Sequence, residues 1–189
     1  HLLHLINDVL DMAKIDSGKM NLNVEKFNVH ELLTDVASIT SPLANEKSLA
    51  LIIEPDSDHE LEINADKIRL RQVMINLVNN AMKFTERGSI SIRVTRENKN
   101  VLISVKDTGI GILLDNLEAV FQEFTQLDTT TTRKAGGTGL GLPISRRLIN
   151  MHSGRLWAES TGIDGEGSTF FVTLPIEANI NEDATLTAK

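Results

Sequence analysis

The segment from Asp66 to Thr85 reads DKIRLRQVMINLVNNAMKFT, a run whose two faces carry opposite chemistry. At about 100° per residue, Asn76, Asn80 and Lys83 fall within one narrow arc, which Arg69 and Gln72 continue. Leu70, Met74, Leu77, Val78 and Ala81 centre on the other side, so the spacing predicts a helix buried on that face. Asp66 suits the helix start and Gly88 its stop. Asparagine is a poor helix-interior residue, because its side chain competes for backbone hydrogen bonds. Two on one stripe beside a lysine offer amide oxygens to a hard cation and positive charge to phosphate. A solvated polar face is the competing reading of the stripe alone, and two glycine loops decide between them.

The first loop follows a strand predicted over Val101 to Lys106 and reads Asp107-Thr-Gly109-Ile-Gly111-Ile. An aspartate at a strand end accepts a hydrogen bond from an exocyclic amine such as adenine's, and glycines beyond it let a flat base approach the backbone. By itself an ordinary Asp-initiated turn explains the motif equally well. The second loop is Gly136-Gly137-Thr138-Gly139-Leu140-Gly141-Leu142, leading into a helix with Ile144, Leu148 and Ile149. Glycine-rich backbone at a helix start presents free amides and the positive end of the dipole, an anion site. Pro143 falls in the first turn, where a missing amide hydrogen costs little. No Gly-Lys-Ser/Thr follows, so this is not a Walker loop.

Outward from these pieces, the chain has 189 residues, no cysteine and a net charge of -7. That balance argues against a broad nucleic-acid-binding surface. The absence of cysteine excludes disulfides and a thiolate zinc site and fits a reducing cytoplasm. No apolar run reaches the ~20 residues that span a bilayer, so a membrane anchor, if the parent protein has one, lies elsewhere. The first residue is His1, which points to a fragment of a longer protein. Leu2 to Ile15 has the spacing of a helix packed on partner helices and stops at Asp16-Ser17-Gly18. Met20 to Phe27 alternates like a strand. Asn28 caps a helix with Leu32, Leu33, Val36, Ile39 and Leu43 on its apolar face. Further strands are predicted at Leu49 to Ile53, Ser89 to Arg96, Arg155 to Glu159 and Thr169 to Leu174, and a short helix near Leu114 to Phe121. Residues 177–189 are polar and without periodicity, as in a tail or linker. Mixed α and β without strict βαβ alternation predicts an α+β, two-layer sandwich: a mixed, mostly antiparallel sheet with helices on one face, preceded by a helix remnant.

With the asparagine helix and both loops in this order, the sequence resembles the catalytic, ATP-binding domain of sensor histidine kinases of two-component systems. Asn76 to Asn80 looks like that family's N box, Asp107 to Ile112 its first glycine box, Phe121-Gln-Glu-Phe124 its F box and Gly137 to Gly141 its second glycine box. Gly167-Ser-Thr169-Phe resembles the last glycine-threonine element, whose hydroxyl lies near the adenine. Leu113 departs from the family, which commonly has proline there. The resemblance implies the two-layer fold of the gyrase, heat-shock-90, histidine kinase and MutL superfamily. It also implies that Asn80, with Asn76, holds Mg2+ and that Lys83 meets the phosphates. Asp107, Gly109, Gly111, Gly137, Thr138, Gly139, Leu140, Gly141 and Thr169 would line the ATP site. Residues 108–136 would form a lid over it, with Arg133 and Lys134 as candidate phosphate contacts.

By the same resemblance, residues 1–18 look like the end of the second dimerisation helix, 19–176 like the catalytic domain and 177–189 like a tail. The phosphoacceptor histidine would precede this chain. His30-Glu31-Leu-Leu-Thr34 imitates the family's acceptor motif His-Glu-Leu-Arg-Thr-Pro, but Leu33 and Asp35 stand where arginine and proline belong. The implied function is transfer of the γ-phosphoryl group of Mg-ATP to that absent histidine, with a response-regulator receiver domain as a partner. The full-length protein is expected to be a homodimer, the fragment open to being a monomer. The alternative is a conformational ATPase of the gyrase or chaperone branch. That branch places a glutamate four residues before the metal-binding asparagine; here the position is Asn76.

Overall fold

A computed structural model of the chain describes residues 2–54, 60–125 and 138–177. It begins α1 (Leu2–Asp16), β1 (Glu25–Asn28), α2 (Val29–Glu46), β2 (Ala50–Ile53), β3 (Glu62–Ala65) and α3 (Lys67–Phe84). There follow β4 (Ser89–Glu97), β5 (Asn100–Asp107), 3-10 turns at Leu114–Asn116 and Ala119–Phe121, α4 (Gly141–Met151), β6 (Arg155–Ser160) and β7 (Ser168–Pro175).

Five strands form one sheet in the order β2-β4-β5-β7-β6, parallel between β2 and β4 and antiparallel elsewhere. Along the central strands every second side chain is buried: Ile90, Ile92 and Val94, then Val101, Ile103 and Val105, then Phe170, Val172 and Leu174. Period two puts each set on one face, and α2, α3 and α4 pack there. The buried face of α3 is the one its spacing predicts, widened by Val73 and Met82. The expected α+β sandwich is therefore the observed fold.

Two expectations needed correction. Of the segment from Met20 to Phe27 only the part from Glu25 on forms a ladder, which runs to Asn28 and pairs with β3, a strand that periodicity did not reveal. Alternation alone does not make a strand; a partner must take the amides. At Asn23 the backbone amide goes instead to Asp66 Oδ2 at 2.8 Å. The helix expected near Leu114 to Phe121 is a pair of short 3-10 turns, because Leu113 and Leu114 lie exposed and offer no apolar stripe to bury.

The start of α3 is fixed by a cap tied to the end of α4. Asp66 Oδ1 accepts from the Arg69 amide at 3.0 Å, which satisfies one of the helix's open donors. The Asp66 amide itself donates to His152 Nε2 at 3.0 Å. Nε2 must then be unprotonated, so Nδ1 carries the hydrogen and donates to the Leu148 carbonyl at 2.7 Å. Burial holds the His152 imidazole below its ordinary pKa of 6.5, against the Leu148 bond and the Asp66 charge, which act upward.

The unfolded chain binds this proton more readily than the folded one, so the stabilisation is complete above the ordinary imidazole pKa and fades as pH falls below it. Replacing His152 by Phe should cost about 1–3 kcal/mol near neutral pH, by leaving the Asp66 amide unpaired. Urea unfolding at about pH 7.5 and about pH 5 should show this gap narrowing in acid. A gap of equal size at both values would show that His152 is not neutral in the fold.

Candidate functional site

The polar stripe of α3 faces the start of α4. Asn76 Nδ2 donates to Ser145 Oγ at 2.9 Å, and Asn80 Nδ2 reaches Asn76 Oδ1 at 3.5 Å. A β-carbon on Gly141 would stand 2.4 Å from Asn76 Oδ1, so the glycine is what lets the two helices meet there. Asn76, Asn80 and Lys83 are all half-buried. Burial lowers the Lys83 pKa from its ordinary value, and its ammonium lies 5.0 Å from the centroid of the Phe84 ring. Among the described residues it makes no salt bridge, which leaves its charge available.

Arg69 and Gln72, which continue the stripe, are engaged by α1. Asp11 Oδ2 accepts from Arg69 Nη1 and from Gln72 Nε2, each at 3.0 Å. Asp16 pairs with Arg147 of α4, and Asp8 Oδ2 accepts from Thr138 Oγ1 at 3.2 Å. The N-terminal helix thus touches the asparagine helix, the glycine loop and α4 through successive aspartates.

Asp107 ends β5 on the buried side of the sheet, 2% exposed. Its Oδ1 accepts from the amides of Gly109 at 2.8 Å and Ser168 at 3.3 Å, and its Oδ2 from Ser168 Oγ at 2.6 Å. Every donor is neutral, and among the described residues no cation faces it. A carboxylate can accept about four hydrogen bonds, so capacity for a further donor remains. The nearby glycines serve chain packing. A β-carbon on Gly109 would stand 2.1 Å from the Phe84 carbonyl oxygen, and one on Gly167 would stand 2.0 Å from that of Asp107. Gly111 combines φ +72° with a β-carbon position 3.0 Å from Ser160 Oγ. These glycines close the first loop against the end of α3, β6 and the turn before β7.

Thr169, expected near the adenine, pairs with Lys106 and Glu159 and shares their face of the sheet, away from Asp107. The hydroxyl that meets Asp107 is that of Ser168, in phase with the buried Phe170, Val172 and Leu174. Strand phase was the available signal: Ser168 alternates with the core residues, and Thr169 does not.

In the second glycine loop, Gly136 and Gly137 lie outside the described residues, as do Arg133 and Lys134 and most of the expected lid's glycine-rich end. Thr138 Oγ1 accepts from the Leu140 amide at 3.1 Å. Gly139 adopts φ +69° beneath Phe124, whose amide donates to its carbonyl at 3.1 Å. The Leu140 side chain is 1% exposed and belongs to the core, leaving only its backbone for the site. No side chain caps α4, so the first amides of the helix keep no side-chain partner, next to where Gly141 meets Asn76.

Comparison with known proteins agrees with this geometry. The family model described as histidine kinase-, DNA gyrase B- and HSP90-like ATPase matches residues 65–178. The chain is 43% identical over 181 residues to the sensor protein GacS of Pseudomonas syringae pv. syringae, which covers 93% of this chain and 20% of GacS. It therefore spans about a fifth of that curated relative's length. Full-length ShkA in complex with AMPPNP superposes with a TM-score of 0.82 at 33% identity, over 95% of this chain and 37% of that one. The catalytic domain of the histidine kinase ThkA gives a TM-score of 0.72 at 31% identity, over 83% of this chain and 98% of that one. ThkA in complex with the response regulator protein TrrA also matches, with a TM-score of 0.72 at 26% identity, over 93% of this chain and 49% of that one. Among the described residues no helix is long and apolar enough to cross a membrane. The chain belongs to the histidine kinase-, DNA gyrase B- and HSP90-like ATPase family, and within it is an ATP-binding catalytic domain of the sensor histidine kinase kind.

Proposed function

We propose that this chain is the phosphoryl-donating part of a two-component sensor kinase, passing the γ-phosphoryl group of ATP to a histidine on a helix outside it. The observation that carries the reading is the buried Asp107 carboxylate, which among the described residues has only neutral donors and room for one more. The adenine amine is a donor of the required kind. Asn76, four residues before Asn80, cannot serve as a base to activate water, which favours phosphoryl transfer over the hydrolysing branch of the family.

The donor set also fits Mg2+. Asn76 and Asn80 present neutral amide oxygens, suited to a hard cation that draws most of its ligands from phosphate and water. Bound there, the ion would supply charge neutralisation at the phosphates. Lys83 adds positive charge, and the amides at the start of α4, with Thr138, Gly139 and Gly141, receive phosphate oxygens. Residues of this chain do no covalent chemistry. They hold the γ-phosphorus in line for the acceptor imidazole, whose nitrogen forms the new P–N bond as the bond to the ADP oxygen breaks and the ring loses its proton.

Residues 1–18 are read as the end of the second dimerisation helix. Leu5, Ile6, Val9 and Leu10 are between 38% and 50% exposed, an apolar stripe suited to a helical bundle. The whole protein would then dimerise through that bundle, and a response-regulator receiver domain would take the phosphoryl group. Residues 19–176 are read as the catalytic unit; the tail expected over 177–189 lies, beyond Glu177, outside the described residues.

Calorimetric titration with Mg-ATP should show binding that Asp107→Asn weakens by roughly 10- to 100-fold, as expected for a hydrogen bond to a charged group. Unchanged affinity would remove Asp107 from the adenine site. Incubated with γ-labelled ATP, the chain alone should gain no acid-labile, base-stable label, and labelling should appear when the parent's preceding helix is supplied separately. His30, in the first turn of α2 with its amide held by Asn28 at 2.8 Å, should stay unlabelled. Label mapped to His30 would contradict the proposal.

A further inference from the structure

The buried face of α4 carries Pro143, Ile144, Leu148, Ile149 and one hydroxyl, that of Ser145. Serine is disfavoured within a helix, and a buried hydroxyl without a partner is costly. Ser145 is 2% exposed, and its oxygen accepts from Asn76 Nδ2 across the helix contact at 2.9 Å. An amide that gives its nitrogen to one side must turn its oxygen to the other. Asn76 Oδ1 accordingly points along α3, where Asn80 Nδ2 approaches it at 3.5 Å. The Asn76 amide lies against the backbone of Gly141, in space that a β-carbon there would invade at 2.4 Å. The chain of contacts runs from Ser145 through Asn76 to Asn80. At its end the Asn80 carbonyl oxygen accepts no hydrogen bond among the described residues.

We infer that Ser145 is a positioning residue for divalent-cation binding: its hydroxyl sets the orientation of the Asn76 amide and, through it, presents the Asn80 oxygen to the ion. This rests on the reading of Asn76 and Asn80 as the Mg2+ site. Partners of this kind, behind a metal's own ligands, typically matter roughly 10- to 100-fold for metal affinity. A serine that merely joined two helices would affect stability and leave the cation dependence of nucleotide binding alone.

The test measures affinity of the full chain for a non-hydrolysable ATP analogue, in Mg2+ and in EDTA, together with thermal unfolding. In the wild type, Mg2+ should strengthen binding, and Asn80→Ala should abolish that gain. Ser145→Ala should shrink the gain roughly tenfold while leaving affinity in EDTA unchanged. Ser145→Thr, which keeps the hydroxyl, should restore it. If Ser145→Ala does not fold, Ser145→Cys leaves no cavity but is a weak hydrogen-bonding group, and it should show the same shrinkage. A full Mg2+ gain in Ser145→Ala or Ser145→Cys, with Asn80→Ala still losing it, overturns this inference alone. A wild type that binds equally well with and without Mg2+ overturns the metal reading as well.

Discussion

A carboxylate removed from water with no cation beside it is expensive, and its cost must be met by hydrogen bonds. Among the described residues Asp107 is in that position, and much of the surrounding architecture follows from it. Its oxygens are served by the Gly109 and Ser168 amides and the Ser168 hydroxyl. Those donors can converge only because β5 and β7 are neighbours and because residues 109 and 167 lack side chains. Central strands, two glycines and one serine thus form a single arrangement around one buried charge. Among the described residues the arrangement leaves room for a further donor, which is the physical reason for reading it as a binding site.

The second constraint is the contact of α3 with α4. Gly141 brings the start of one helix onto the polar stripe of the other, so backbone amides and side-chain amides converge on the same space. The Asp66–His152 link holds the opposite ends of these two helices together. The α1 helix lies across this pair through Asp8, Asp11 and Asp16, touching Thr138, Arg69, Gln72 and Arg147. A helix read as part of the dimerisation bundle therefore contacts the elements that would bind nucleotide, and its carboxylates hold cationic and hydroxyl groups beside the proposed phosphate site.

The helices and central strands were legible in the sequence because their apolar periods are strong, and the caps Asn28 and Asp66 fall where the sequence places them. β3 was not legible, since Glu62–Ala65 is too short to establish a period and owes its form to pairing with β1. Asn76, Asn80 and Gly141, which the sequence singled out, lie against one another, while Asp107 meets Gly109 and Ser168. Thr169 does not meet Asp107, because motif matching ignored the pleat that turns Ser168 inward. The role of Ser145 was invisible to any local pattern, since its partner is 69 residues away in sequence. Likewise, Arg69 and Gln72 looked like open stripe residues until α1 was seen to occupy them.

The central claim is that the free capacity of the Asp107 carboxylate reads the exocyclic amine of adenine. Comparing the affinities of ATP and inosine triphosphate in Mg2+ tests it most directly, because the two differ where that amine is replaced by a carbonyl oxygen. A site built to accept a hydrogen bond rejects a ligand that offers an acceptor in its place. The account predicts that inosine triphosphate binds at least about tenfold more weakly, a difference of about 1.4 kcal/mol. Equal affinities would contradict it and leave the burial of Asp107 a matter of structure alone.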